Sequence, residues 1–447
     1  MNDNRKEYLI QIAMHLMGIF FFLLIFDGAL RKWFLPDYEK LIYILKDAIV
    51  LVALVLTLVS LRYRKWMVGP KTIWVSLGIY LVYVGLQVLN PRLPNLLVGV
   101  FGLKSHLLYM GLLVVIPALF YNLETIYRCL ERYLSWIVIP LCLLAFAQAF
   151  SPQDSFVNIP VRGGVMATPM AGPYVRASGT FSYVTGFSWF LQLATLCSFF
   201  CIMFRQKIYV SNIIVLSALI AALPLNGSRA VVVISIVSLL MMVFVGYVAK
   251  LISSRKLLLI LCLITVVGAL LFLSPQNTWQ GLVYRFLTSS RTIGDSWRYV
   301  SVFTNAFSFF DIAGWLGFGV GSAHQAAPHL APNSLPFSWF PLEIVELNFE
   351  PESGRLVLEL GIVGWIISLF MRSIAFASSI YIAIKGKTGD IRSAGVLAMP
   401  VLSLGLYVGN GVYAPPLGAA AYFFFLAIVL VAYRENAETG EINNGRA

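Results

Sequence analysis

Three arginines, Arg285, Arg291 and Arg298, and four carboxylates, Glu343, Glu346, Glu350 and Glu352, share one polar stretch between apolar runs. A glycine-rich turn (Gly314, Gly317, Gly319, Gly321) and two histidines, His324 and His329, lie between them. A guanidinium is a planar fork of donors that fits phosphate oxygens. A carboxylate held near it can accept the proton of an attacking sugar hydroxyl. Gathered at a membrane surface, these groups would suit a substrate carrying a pyrophosphate head group. Glu350 and Glu352 have a second reading, as salt-bridge partners of Arg355 or as charges at a helix N-terminus. Glu359 lies inside an apolar run, where an acid is costly unless paired, so it is expected to face an arginine or a polar cavity. His324 and His329 are five apart among Gly, Ala and Pro and read as loop histidines. With no Asp-rich motif, no metal and no cofactor are expected.

The elements that must position these groups are membrane helices. Hydrophobic residues make up 59% of the chain and charged residues 12%, about half the charged fraction of a soluble domain. Many apolar runs approach or exceed the roughly 18 to 20 residues that cross a bilayer. No stretch alternates as a membrane barrel strand would. The expected fold is therefore an all-α polytopic membrane protein with about 12 spans: nine within residues 1–273, a large outer loop at 274–355, three more spans at 356–433, and a disordered tail at 434–447. A smaller outer loop falls at 151–178. The fourth span is expected from about Leu103 and the tenth from about Leu356. The five cysteines lie in or beside apolar runs; Cys197 and Cys201, four apart with no His or acid beside them, read as buried small hydrophobes.

The net charge of +12 reflects topology and not nucleic-acid binding. Placing both termini in the cytoplasm puts the clusters at Arg62–Lys71, Arg128–Arg132, Arg205–Lys207, Lys250–Lys256 and Lys385–Arg392 inside, as the positive-inside rule requires. Arg162, Arg176, Arg229, Arg285, Arg291, Arg298 and Arg355 then fall outside, where topogenic sorting does not place them. Arg176 and Arg229 each precede a span, at head-group depth beside helix N-terminal amides that favour anions. Any one of them could simply snorkel. As a set they stand out, because the outer loops after Lys104 contain arginine and no lysine.

Four segments carry a resemblance. Arg176-Ala177-Ser178-Gly179-Thr180-Phe181 resembles the Arg-x-x-Gly-Thr-Phe element of the O-antigen polymerase and ligase superfamily. Asn226-Gly227-Ser228-Arg229-Ala230 resembles its Ser-Arg-Gly/Ala turn. Arg291 through Trp297-Arg298, followed by Gly317-Phe318-Gly319-Val320-Gly321, resembles its Arg-x-x-x-Trp-Arg and Gly-x-Gly-x-Gly stretch, with five residues here between the first arginine and the tryptophan. Glu359-Leu360-Gly361-Ile362-Val363-Gly364 resembles its Glu-x-Gly-x-x-Gly helix start. The resemblance implies a GT-C-like glycosyltransferase of the bacterial inner membrane. Such an enzyme takes a glycan from undecaprenyl pyrophosphate at the periplasmic face, without metal or nucleotide sugar. It implies that Arg176, Arg229 and Arg298, with Arg291 nearby, contact the donor pyrophosphate. The ligase pattern has a His-Asn pair where this chain has Glu350-Pro351, a departure that leaves Glu350 or Glu352 as the candidate base. The partners implied are the lipid-linked donor, a glycan or lipid acceptor, membrane lipids, and polysaccharide assembly and export proteins.

Two rival classes remain. A transporter or glycolipid flippase has a similar span count but is expected to show repeated halves and broken or charged helices; no repeat is evident. A noncatalytic partner of an export complex is the other.

Overall fold

The computed structural model describes residues 3–60, 67–161, 175–205, 209–253, 304, 306–324, 327–331, 352–406, 412–413 and 415–444. The expected base Glu350 and the expected pyrophosphate ligands Arg291 and Arg298 lie outside these residues, as do Arg285 and the ninth expected span.

The described residues are all-helical. The long helices are α1 (Asp3–Ala29), α2 (Glu39–Ser60), α3 (Lys71–Leu86), α4 (Leu96–Leu107), α5 (Leu112–Leu119), α6 (Leu123–Phe150), α7 (Val184–Phe204), α8 (Val210–Ala222), α9 (Arg229–Val248), α10 (Glu352–Lys385), α11 (Gly389–Leu404) and α12 (Pro416–Asn444). Nine helical stretches among the described residues are long and apolar enough to cross a membrane. The seventh and eleventh expected spans correspond to the shorter helices α8 and α11.

Several boundaries differ from the sequence reading, for local reasons. The fourth span begins at Leu96, because Asn95 caps it by accepting from the Val98 N–H at 3.0 Å. Its helix is then interrupted by a turn at Leu108–Gly111 before α5. The tenth begins at Glu352, so the last residues assigned to the outer loop are its first helical turn. The tail expected to be disordered is instead helical through Asn444. Its first turns are tied to the neighbouring helix ends. Arg434 donates to the carbonyls of Pro117, Phe120 and Tyr121 at 2.7 to 2.8 Å, and the Glu435 carboxylate accepts from the Leu123 N–H at 2.7 Å.

Helix α12 is the axis of the bundle. Buried Ala, Val, Ile, Leu and Phe side chains run along it from Ala419 to Ala432, around most of its circumference, the pattern of a helix enclosed by others. It packs on α5, α7, α10 and α11. Helices α1 and α2 form a hairpin, and α6, α7 and α8 build a second hydrophobic cluster to which α1 contributes Ile25 and Phe26.

Candidate functional site

Helix α10 is broken at Gly361. The residue adopts φ +69° and ψ 178°, a conformation that L side chains avoid. A Cβ there would also run into the Trp315 carbonyl. The break opens backbone groups, and the glycine-rich turn closes them again. Phe318 N–H donates to Leu358 O at 2.8 Å and Gly319 N–H to Glu359 O at 3.0 Å, while Ile362 and Val363 donate to Gly314 O and Trp315 O at 3.3 and 3.4 Å. Bonds that a continuous helix would make within itself are thus made to the loop. Tyr83 Oη donates to Leu360 O at 2.6 Å. Beyond the break, α10 is still long enough to cross a membrane at about 1.5 Å per residue.

Glu359, two residues before the break, is the hub of a buried polar cluster. It is wholly buried. Oε1 accepts from Arg355 Nε at 3.0 Å; Oε2 accepts from His106 Nε2 at 2.8 Å and from the Gly321 N–H at 3.1 Å. As an acceptor, the carboxylate assigns the proton to Nε2 of His106, so Nδ1 accepts from Tyr80 Oη at 2.8 Å. Gly321 reaches the carboxylate because its backbone lies against that of Gly102 on α4, at φ +86°, with no room for a side chain on either. His324 stands edge-on to Phe101, their centroids 5.0 Å apart. Burial and the neighbouring Arg355 charge push its pKa down to about 3, so it is neutral at ordinary pH.

Glu352 stands in a second buried unit. Oε2 accepts from Arg372 Nη1 at 2.9 Å and Oε1 accepts from the Tyr413 N–H at 2.6 Å. Arg372 also donates to Gly405 O at 2.7 Å and lies 4.7 Å from the centre of the Tyr413 ring. Both oxygens of this candidate base are therefore engaged in holding α10 to the segment between α11 and α12. Tyr413 stacks on Tyr80 with centroids 5.9 Å apart, joining the two units.

The same end of the bundle contains the turn between α1 and α2. Lys46 pairs with Asp27, and Lys104 with Asp47 at 2.6 Å. Tyr109 Oη donates to Asp47 Oδ1 at 2.9 Å. The Tyr43 ring lies between Lys46 and Lys104, whose ammonium groups are 4.8 and 4.4 Å from its centre. The cations here include lysines, not arginine alone: Lys32, Lys46 and Lys104 do not lie in the outer loops after Lys104, where the cations are arginines.

The remaining two resembling segments meet beside this turn. Ala177 N–H donates to Leu225 O at 2.9 Å and Arg176 Nε to Asn226 O at 3.0 Å. Asn226 donates to Ala177 O and Val184 O at 3.3 and 3.0 Å. Gln148 accepts from the Ser178 and Gly179 N–H groups at 3.1 and 2.7 Å. Lys32 Nζ donates to Ser178 Oγ at 2.9 Å and Arg31 Nη1 to Ser182 Oγ at 3.1 Å. Arg229 is the first residue of α9, and its side chain is outside the described residues, as is that of His329.

Four segments far apart in sequence thus come together as two pairs: 176–181 with 226, and 314–321 with 358–363. Glu359 does face an arginine, as expected for a buried acid. His106, Tyr80, Arg372 and Tyr413 were not anticipated. For His106 and Arg372 a signal existed: an ionisable residue inside an apolar run is itself a mark of function or pairing. For Tyr80 and Tyr413 none did. Among the described residues no cluster of His, Cys, Asp and Glu has the form of a metal site. No protein-family model matches this chain, and no match to a curated protein was found.

Proposed function

We propose that this chain is a membrane-embedded glycosyltransferase that polymerises or transfers a glycan carried on a polyprenyl pyrophosphate. The observation that carries the reading is that the described parts of the resembling segments, 176–181 with 226 and 314–321 with 358–363, meet pairwise amid buried cations. In this reading Arg176, Arg229, Arg291 and Arg298 hold the donor pyrophosphate. An acceptor hydroxyl attacks the anomeric carbon, its proton passes to Glu350, and the bond from that carbon to the pyrophosphate oxygen breaks. The polyprenyl pyrophosphate leaves with the bonding pair, and a single displacement inverts the anomeric centre. Glu350 is preferred to Glu352 as the base because both Glu352 oxygens are engaged.

A lipid-borne donor is further supported by an apolar cavity of about 330 Å³ between α1, α6, α7 and α12, lined by Phe21, Ile25, Tyr133, Phe190 and Phe424 among others. Its Ile25 edge lies beneath Thr180, whose hydroxyl donates to the Ile25 carbonyl. An isoprenoid chain there would place its head group near Lys32 and Arg176.

The second reading, a glycolipid transporter or flippase, draws on the break in α10 and the charges buried among the helices, both of which are transporter features. Sizing the surface polysaccharide and the polyprenyl-linked pool of a host lacking the gene separates the readings. Single repeat units on the carrier with no long chains mean a polymerase. Long chains that stay on the carrier mean a ligase. Donors trapped on the inner face sink the enzyme reading in favour of transport. Within the enzyme reading, Arg298→Ala is expected to abolish transfer at unchanged protein level, and substantial residual transfer would remove Arg298 from the site.

A further inference from the structure

We infer that Arg355 binds an anionic oxygen of the substrate, a phosphate oxygen in the transferase reading on which this rests, and that Glu359 and His106 are the positioning residues that present it. An arginine ordinarily meets a carboxylate edge to edge. Nε and Nη2 share one edge of the guanidinium, and that edge ordinarily closes on both carboxylate oxygens. Here only Nε is used, on Glu359 Oε1 at 3.0 Å. Oε2 is already taken by His106 Nε2 and by the Gly321 N–H. Arg355 Nη2 is therefore left over. The residue is 7% exposed, and among the described residues Nη2 has no hydrogen-bond partner.

A buried guanidinium nitrogen without a partner costs free energy that a second carboxylate contact would have recovered. The fold diverts that contact with two separate donors, one from α4 and one from the glycine-rich loop. A second group points to the same ligand. Ser322 follows Gly321 directly, is 2% exposed, and its Oγ also has no partner among the described residues. Arg355 thus donates to one oxygen of the saturated carboxylate and Ser322 follows the residue whose N–H donates to the other, each with a donor to spare. A phosphate oxygen accepts from both kinds of donor, whereas a cation would accept from neither. Arg355 is one of the outer arginines of the sequence, but neither it nor Ser322 is among the four residues that the resemblance assigns to the donor.

The test is calorimetric titration of the full chain in nanodiscs of neutral lipid, with inorganic pyrophosphate and farnesyl pyrophosphate as probes. The wild-type chain is expected to bind. Arg355→Gln alone would strand the Glu359 charge and risk the fold, so the variant used is Arg355→Gln with Glu359→Gln, which leaves no unpaired charge. It is expected to lose tenfold or more in affinity, and Ser322→Ala about threefold. His106→Leu frees Oε2, lets Arg355 close on Glu359 with both nitrogens, and is expected to weaken binding about tenfold. His106→Gln, whose side-chain amide can still donate to Oε2, should recover most of that loss; a merely space-filling role would show no such rescue. Equal affinity for the two probes places the recognition in the phosphates alone, and tighter binding of farnesyl pyrophosphate adds the lipid. Wild-type affinity in both the double variant and Ser322→Ala, with unfolding temperatures unchanged, overturns the inference and leaves the transferase reading standing. A wild-type chain that binds neither probe overturns both.

Discussion

The two ends of the bundle use charge in opposite ways. At the end containing the glycine-rich turn, ion pairs lie inside: Glu352 with Arg372, Glu359 with Arg355, and Asp27 with Lys46 are all buried. At the other end the pairs ring the rim. Glu124 binds Arg205 at 2.6 Å and Arg128 at 3.2 Å, yet it is 40% exposed. Arg434 and Arg392 there cap the carbonyls of neighbouring helix ends. Rim charges orient and fasten helices at little cost, since water still solvates them. Buried pairs cost several kcal/mol of desolvation, so bulk stability is a poor reason for them. The difference sets the glycine-rich end apart as the one whose buried polar groups bulk stability alone does not account for.

The sharpest way to break this comparison is to remove one member of a buried pair. Arg372→Met alone should cost about 3 to 5 kcal/mol of stability, because it strands Glu352. Glu352→Leu with Arg372→Met should recover most of it. Thermal unfolding in nanodiscs reads both, and a loss below 1 kcal/mol for the single change would erase the distinction between the ends. Next in size, Gly361→Ala should cost about 3 kcal/mol, through the left-handed backbone and the overlap with Trp315. Limited proteolysis should then cut within 314–321 faster than in the wild type; an unchanged pattern would mean that the break does not hold the loop.

His324 gives a smaller, pH-dependent effect. Its folded pKa lies well below the usual histidine value of about 6.5. As pH falls below that value the unfolded chain takes up a proton that the folded chain refuses. Stability is therefore full above about 6.5 and is lost on the way down towards pH 3. Between pH 7 and pH 5 the loss should be no more than about 2 kcal/mol, and His324→Gln should flatten it. Smallest of all, Glu124→Gln at the rim should change stability by less than about 1 kcal/mol. A loss as large as that of Arg372→Met would show that rim pairs also carry the fold.

The class of the molecule was legible because apolar runs report on their own length. The candidate site was legible only in part. Arg176 with Asn226, and the glycine-rich turn with Glu359, could be picked out as segments, because glycines at fixed spacing and arginines outside the basic clusters leave a mark on the sequence. Their pairing could not, since nothing in a linear pattern says which loop answers which helix. Gly361 is marked in the sequence as part of a Glu-x-Gly-x-x-Gly segment, but that it breaks the helix emerges only when Gly314 and Trp315 are seen to accept from Ile362 and Val363. His106 shows the same limit from the other side. Its residue type was conspicuous within an apolar run, but its meaning depends on Glu359, which lies on a helix more than two hundred positions away. Glu352 was readable as a carboxylate near the rim, but its engagement by Arg372 and the Tyr413 N–H depends on three segments meeting.

The break also ties two distant stretches of chain into one backbone network. The carbonyls of Leu358 and Glu359 and the N–H groups of Ile362 and Val363 find their partners on 314–319, outside the helix they belong to. A buried N–H or C=O without a partner costs free energy, so none of the four is released singly without penalty. The glycine-rich turn is in this sense a detached part of helix α10: it supplies the bonds that Gly361 takes away, and a change in either stretch is felt in the other.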